Sequence, residues 1–138
     1  MALRNDDRKE SGKDDRKTVG AQCEAHVVEY LRQKALFIEQ QNWVGLTGEI
    51  DLIYVDHQTL VFVEVRSVRS KWLDQASLAV SPKKQRQVAR CADEYIRKRL
   101  ASLPSYQEIR FDVAGVLWEH DQKQLDYIEN AFESPWAY

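Results

Sequence analysis

With 138 residues, 43% of them hydrophobic, and a net charge of −2, the chain has the size and composition of one soluble globular domain. No apolar run approaches the roughly 20 residues of a membrane span, and the first residues lack a signal peptide's apolar stretch, so a cytoplasmic protein without membrane contact is expected. The small net charge excludes a uniformly basic chain but hides a segregation: residues 18–65 carry −5, residues 66–104 carry +7 and residues 105–138 carry −5.

Residues 1–17 are mostly charged and lack an apolar cluster, which predicts a disordered tail ahead of a single domain over 18–138. Thr18 then reads as the cap of a helix running to about Ala35, with Val19, Cys23, Val27, Tyr30 and Leu31 as its buried stripe and Glu24 on the flank. Phe37 to Val44 reads as a strand, and Gly45-Leu46-Thr47-Gly48 turns into the next. Two β-branched and aromatic runs follow, Glu49–Val55 and Leu60–Arg66, joined by the polar turn Asp56-His57-Gln58-Thr59, which is a hairpin pattern.

Residues 67–81 are irregular and polar. Ser81-Pro82 starts a second helix, because serine caps free amides and proline tolerates the first helical position. It should run to about Leu100, with Val88, Cys91, Ala92, Tyr95 and Ile96 inward. Ile109–Leu117 is the next strand, Leu125–Ile128 a short last one, and Glu129–Phe132 a helical turn. This order predicts an α/β fold: a three-layer α/β/α arrangement with a central mixed sheet, in which the Ile109 strand follows a crossover helix and runs parallel to the strand it joins. Cys23 and Cys91 fall on apolar helix faces and read as a reduced, buried pair.

The hairpin carries the chemistry. Side chains alternate along a strand, so Glu49 and Asp51 share one face, and Glu64 and Arg66 share another. Carboxylates among Val, Ile and Phe are costly to bury without compensation, and a divalent cation supplies it. Asp51 and Glu64 are therefore candidate Mg²⁺ ligands, with Mn²⁺ as a substitute and the Val65 carbonyl, on an edge-accessible strand, as a further oxygen; Glu49 ranks behind them. Arg66 is suited to phosphate or to transition-state charge. The basic block that starts there includes Arg69, Lys71, Lys83, Lys84 and Arg90, a candidate nucleic-acid surface beside the acids. A salt bridge from Asp51 or Glu64 to Arg66, and a solvated basic helix face, are the structural alternatives. Asp112 also interrupts a strand and is placed to join the cluster, but pairing near Arg110 or with the basic helix is its expected role.

Asp51 followed by Glu64-Val65-Arg66 resembles the PD-(D/E)XK nuclease superfamily, with arginine in the motif lysine's place. More closely, the chain resembles the YraN-like family, through Gly20 and Glu24, Gly48-Glu49-Ile50-Asp51-Leu52-Ile53, Val61-Phe62-Val63-Glu64-Val65-Arg66, Lys84, Arg110-Phe111-Asp112-Val113 and Ile128–Phe132. The resemblance spans Val19 to Phe132. It implies a restriction-endonuclease-like fold and a metal-dependent nuclease acting on DNA, branched or structured DNA included, similar to archaeal Holliday-junction resolvases. It also implies that Glu24 is an additional metal or water ligand.

Arginine stays charged and cannot act as a base, so Arg66 opens a second reading: a nuclease-fold DNA-binding module without catalysis. Lys84 is the candidate to supply the missing ammonium. A protein-interaction role is the third reading. Junction enzymes act as symmetric pairs, so a homodimer is worth testing.

Overall fold

The computed structural model describes residues 7–68, 79–119 and 122–135, with side chains from residue 18 onward. Helix α1 (Asp7–Gln33) is followed by strands β1 (Phe37–Val44), β2 (Glu49–Asp56) and β3 (Thr59–Val68), helix α2 (Pro82–Lys98), and strands β4 (Glu108–Glu119) and β5 (Gln122–Phe132). The five strands form one sheet in the order β1-β2-β3-β4-β5. Only β3 and β4 pair in parallel, from Thr59↔Glu108 to Val68↔Leu117, and α2 lies in the crossover between them. The mixed sheet and its parallel step match the sequence expectation.

Each face of the sheet is buried under one helix. Leu52, Tyr54, Val61, Val63, Ala114 and Val116 pack on Cys23, Val27, Val28 and Leu31 of α1. On the other face Ile53, Val55, Leu60, Phe62, Phe111 and Val113 pack on Val88, Ala89, Cys91, Ala92 and Tyr95 of α2. Burial on both faces is why β2, β3 and β4 read as nearly unbroken apolar runs. Cys23 and Cys91 are buried and free. No helix among the described residues is long and apolar enough to cross a membrane.

Helix α2 starts where expected: the Ser81 hydroxyl accepts from the Lys84 amide at 3.2 Å, and Pro82 occupies the first turn. Two other boundaries differ from expectation. Helix α1 begins at Asp7, so Thr18 is an interior residue and the charged segment from residue 7 on is helical. This part of the helix carries charge and no apolar stripe that would announce it in the sequence. Strand β5 runs through to Phe132, with no helical turn. Asn130 takes a left-handed φ of 52°, and the register shifts between Phe111 and Val113. That irregularity breaks the strand's alternation, which is why the sequence looked helical there.

Candidate functional site

The β2–β3 ladder runs from Asp56↔Thr59 to Leu52↔Val63. Two residues further along β3, the Val65 N–H donates to Asp51 Oδ2 at 2.7 Å. A side chain thus stands where a backbone partner would be, while β3 continues its pairing with β4 to Val68. The strands part at this end, and the fork holds the acids. β3 is a central strand, not an edge-accessible one. Access to Val65 comes from the fork.

Asp51 and Glu64 come from the two arms of the fork, Glu64 on the side that α2 covers. Burial, and then the Glu64 carboxylate, push Asp51 up to about 7 against the lowering effect of the Val65 N–H; Glu24 and Glu49 add smaller upward pushes. Burial also raises Glu64, opposed by Lys84 and Arg66. The Lys84 ammonium lies 3.8 Å from Glu64 Oε1, whose side chain is only 15% exposed. Lys84 reaches this point because Ser81 fixes the first turn of α2 beside the end of β3.

Arg66 does not form the salt bridge that would have explained the acids away. Its guanidinium donates to the Ala79 carbonyl at 3.0 Å. Among the described residues Asp51 has no ion pair, and no three His, Cys, Asp or Glu side chains close into a ready metal cage. Glu24 on α1 and Glu49 at the start of β2 contribute negative potential to Asp51. The site is therefore a pair of strand carboxylates in a field of further acids. Oxygen-only donors of this kind suit Mg²⁺, which keeps several waters and takes one or two carboxylates beside substrate phosphate.

The basic block divides. Lys83, Arg86 and Arg90 are exposed on α2. Arg97 pairs with Asp93 at 2.8 Å and Lys98 with Glu94 at 3.0 Å. Arg99 is committed to Glu39, which also accepts from the Tyr95 hydroxyl at 2.5 Å, so it belongs to the packing of β1 on α2. Arg69 and Lys71 lie outside the described residues.

Asp112 does not join the acids. It sits on the α1 face, fully buried, paired in fork geometry with Arg110 (2.8 and 2.9 Å) as the sequence suggested. The sequence did not reveal its other donors: Tyr127 Oη at 2.6 Å, Tyr54 Oη at 3.3 Å and the Asn130 N–H at 2.8 Å. Also missed were Glu94 and Gln87, which grip the β1–β2 turn; the glycines at both ends of that turn were the available clue.

Comparison with known proteins identifies relatives of this chain. The chain is 36% identical over 121 residues to a UPF0102 protein of Geotalea uraniireducens (strain Rf4), covering 86% of this chain and 92% of the relative. A UPF0102 protein of Geotalea daltonii is 36% identical over 124 residues, 88% of this chain and 94% of the relative. One from Rhodococcus opacus (strain B4) is 33% identical over 115 residues, 83% and 95%. The family's sequence model matches residues 23–116, from the helix that carries Glu24 through both arms of the fork to near the end of β4. The chain belongs to the uncharacterised protein family UPF0102, the YraN-like family that its motifs resemble.

Proposed function

We infer that the chain is a metal-dependent nuclease of restriction-endonuclease-like architecture that hydrolyses phosphodiester bonds in DNA. One observation carries this reading: two partly buried strand carboxylates, Asp51 and Glu64, sit on the two arms of the fork where the β2–β3 ladder gives way, close enough for Glu64 to act on Asp51, and no protein cation is paired with Asp51 among the described residues. Acids held together in this way cost stability, and they are tolerated where a bound cation will use them.

In this reading Asp51 and Glu64 hold Mg²⁺, the Val65 N–H fixes the orientation of Asp51, and Glu24 and Glu49 deepen the negative field. When bound, the ion supplies charge neutralisation and a more acidic water. Lys84, an ammonium already at Glu64, takes the place of the motif lysine beside the attacking water. Arg66, bonded to the Ala79 carbonyl rather than paired with an acid, is placed for substrate phosphate, and the exposed cations of α2 extend that contact. Arg66 in the lysine's position favours the second reading, a DNA-binding module without catalysis. Cleavage of labelled duplex, single strand and four-way junction in Mg²⁺ or Mn²⁺ separates the two. Cleavage by the wild type but not by Asp51→Asn supports the enzyme. Salt-sensitive binding with no cleavage supports the module, and the absence of both removes nucleic acid from the account.

A further inference from the structure

The turn joining β1 to β2 is held more firmly than a short connection requires. The Gly45 N–H donates to the Gly48 carbonyl at 2.8 Å and closes it. Helix α2 then grips it from one side. Both carboxylate oxygens of Glu94 accept from the Leu46 N–H, at 2.9 and 3.1 Å. Gln87 donates to the Thr47 carbonyl at 3.1 Å, and the Cys91 thiol to the Gly48 carbonyl at 3.4 Å. Glycine is needed at position 45, because a Cβ there would run into the Glu94 carboxylate and stand 2.8 Å from the Trp43 ring. This rigid turn presents Leu46, which is 91% exposed, with Val44 behind it at 71%. Turn tips are normally polar. Here the tip is apolar and fixed.

The gripping residues also connect the turn to the acids. Lys84, Gln87, Cys91 and Glu94 recur at helical spacing on α2; the first meets Glu64 and the last meets Leu46. At 1.5 Å per residue, the tip stands roughly 15 Å along the helix from Lys84. Lys83, Arg86, Arg90 and Arg97 recur at the same spacing on the exposed side, with Arg97 paired to Asp93. A polyanion lying along α2 would have cations under its backbone, carboxylates at one end and an apolar tip at the other.

We propose that Leu46 is a wedge that enters the base stack of bound nucleic acid where the stack is already interrupted, at a branch, flap or nick, and so selects structured over continuous duplex. This rests on the nuclease reading above. A leucine has nothing to offer phosphate; it gains by leaving water between bases. The unstacking this demands is cheapest where stacking is already broken. At about 3.4 Å per base step, the interruption lies some 4 to 5 steps from the acid pair.

Binding to equal-length labelled duplex, flapped duplex and four-way junction, measured in chelator so that no cleavage occurs, tests the proposal. The wild type is expected to prefer the interrupted forms by roughly tenfold. Leu46→Ser should lose that preference while holding its continuous-duplex affinity within about twofold, and Leu46→Phe should keep it. A 2-aminopurine at the interruption should brighten with the wild type and not with Leu46→Ser. A wild type without preference, or a Leu46→Ser variant that retains it, overturns the wedge. Loss of self-association in Leu46→Ser, with nucleic-acid preference intact, overturns it too and assigns the tip to a protein contact. A Leu46-dependent preference without metal-dependent cleavage leaves the wedge standing and removes hydrolysis. No nucleic-acid binding at all removes both.

Discussion

Asp112 and Asp51 each interrupt an apolar strand, and the fold treats them in opposite ways. Asp112 is fully buried, yet Arg110, Tyr127, Tyr54 and the Asn130 amide all donate to it. Asp51 is less buried but receives only the Val65 N–H, and its charged neighbours Glu64, Glu24 and Glu49 all push its pKa upward. The first is a carboxylate whose charge the protein satisfies completely. The second is one whose charge the protein intensifies. An acid compensated from within does structural work, whereas an acid surrounded by acids is the one the proposed cation would use.

The largest effect should fall on the compensated side. Asp112→Ala removes the closest partner of Arg110, whose side chain is only 17% exposed, leaves it the looser pairs with Asp56 (3.8 Å) and Glu129 (4.0 Å), and takes a charged acceptor from two tyrosine hydroxyls. A loss of about 3–5 kcal/mol is expected in urea denaturation, the usual consequence of breaking a buried pair from one side. A cost below about 1 kcal/mol would show that the network is not what holds β4 and β5 to β2.

Asp51→Asn should go the other way. The amide keeps an oxygen for the Val65 N–H and removes the repelled charge, so in metal-free buffer the variant should be more stable than the wild type by about 1–3 kcal/mol above pH 7. The sign follows from the direction of the shift. Folding raises Asp51 from the ordinary value near about 4 to about 7. As pH rises between those values the unfolded chain gives up its proton first, and the wild type loses stability that it held in acid. The advantage of Asp51→Asn should therefore be absent near pH 4 and complete above pH 7. Denaturation series of both proteins across that range would measure it; a difference that does not change with pH would mean that neither burial nor the neighbouring acids raise Asp51.

Magnesium should sharpen the same contrast. Saturating Mg²⁺ at pH 8 should stabilise the wild type by about 1–3 kcal/mol through preferential binding to the folded state, and thermal melts should show no such gain for Asp51→Asn. Glu39→Gln, at the compensated acid between β1 and α2, should lower the baseline stability and leave the Mg²⁺ gain in place. An equal gain in all three proteins would mean that the ion acts elsewhere.

The two regions also differ in how far they could be read in advance. Asp51 and Glu64 were legible because alternation along a hairpin and the run of strand formers around them are local patterns, and so was the Ser81-Pro82 start of α2. The satisfaction of Asp112 was not, since Tyr54, Tyr127 and Asn130 come from two other strands and Asn130 is delivered by a backbone irregularity that also disguised the end of β5. The same holds for the fork. The sequence put Asp51 and Glu64 on the two arms of one hairpin, but a central β3 opened by a carboxylate in place of a ladder bond is set by register. The early start of α1 was missed for a different reason, because its first turns carry charge and no apolar stripe.

Lys84→Met makes the smallest expected change in stability and separates the two kinds of acid most finely. The Lys84–Glu64 pair is 3.8 Å apart and the lysine side chain is 36% exposed, so its removal should shift stability by less than about 1 kcal/mol. The same removal takes away the leading downward influence on Glu64 and leaves the fork with carboxylates and Arg66 alone. Cleavage should fall by about 10²-fold or more if the ammonium serves the attacking water, while Mg²⁺ stabilisation persists because Asp51 and Glu64 remain. Lys84→Arg restores the charge but not the compact ammonium, so it should recover DNA affinity without recovering rate. Full activity in Lys84→Met would leave Arg66 as the one described cation whose charge both reaches Glu64 and remains to serve the reaction.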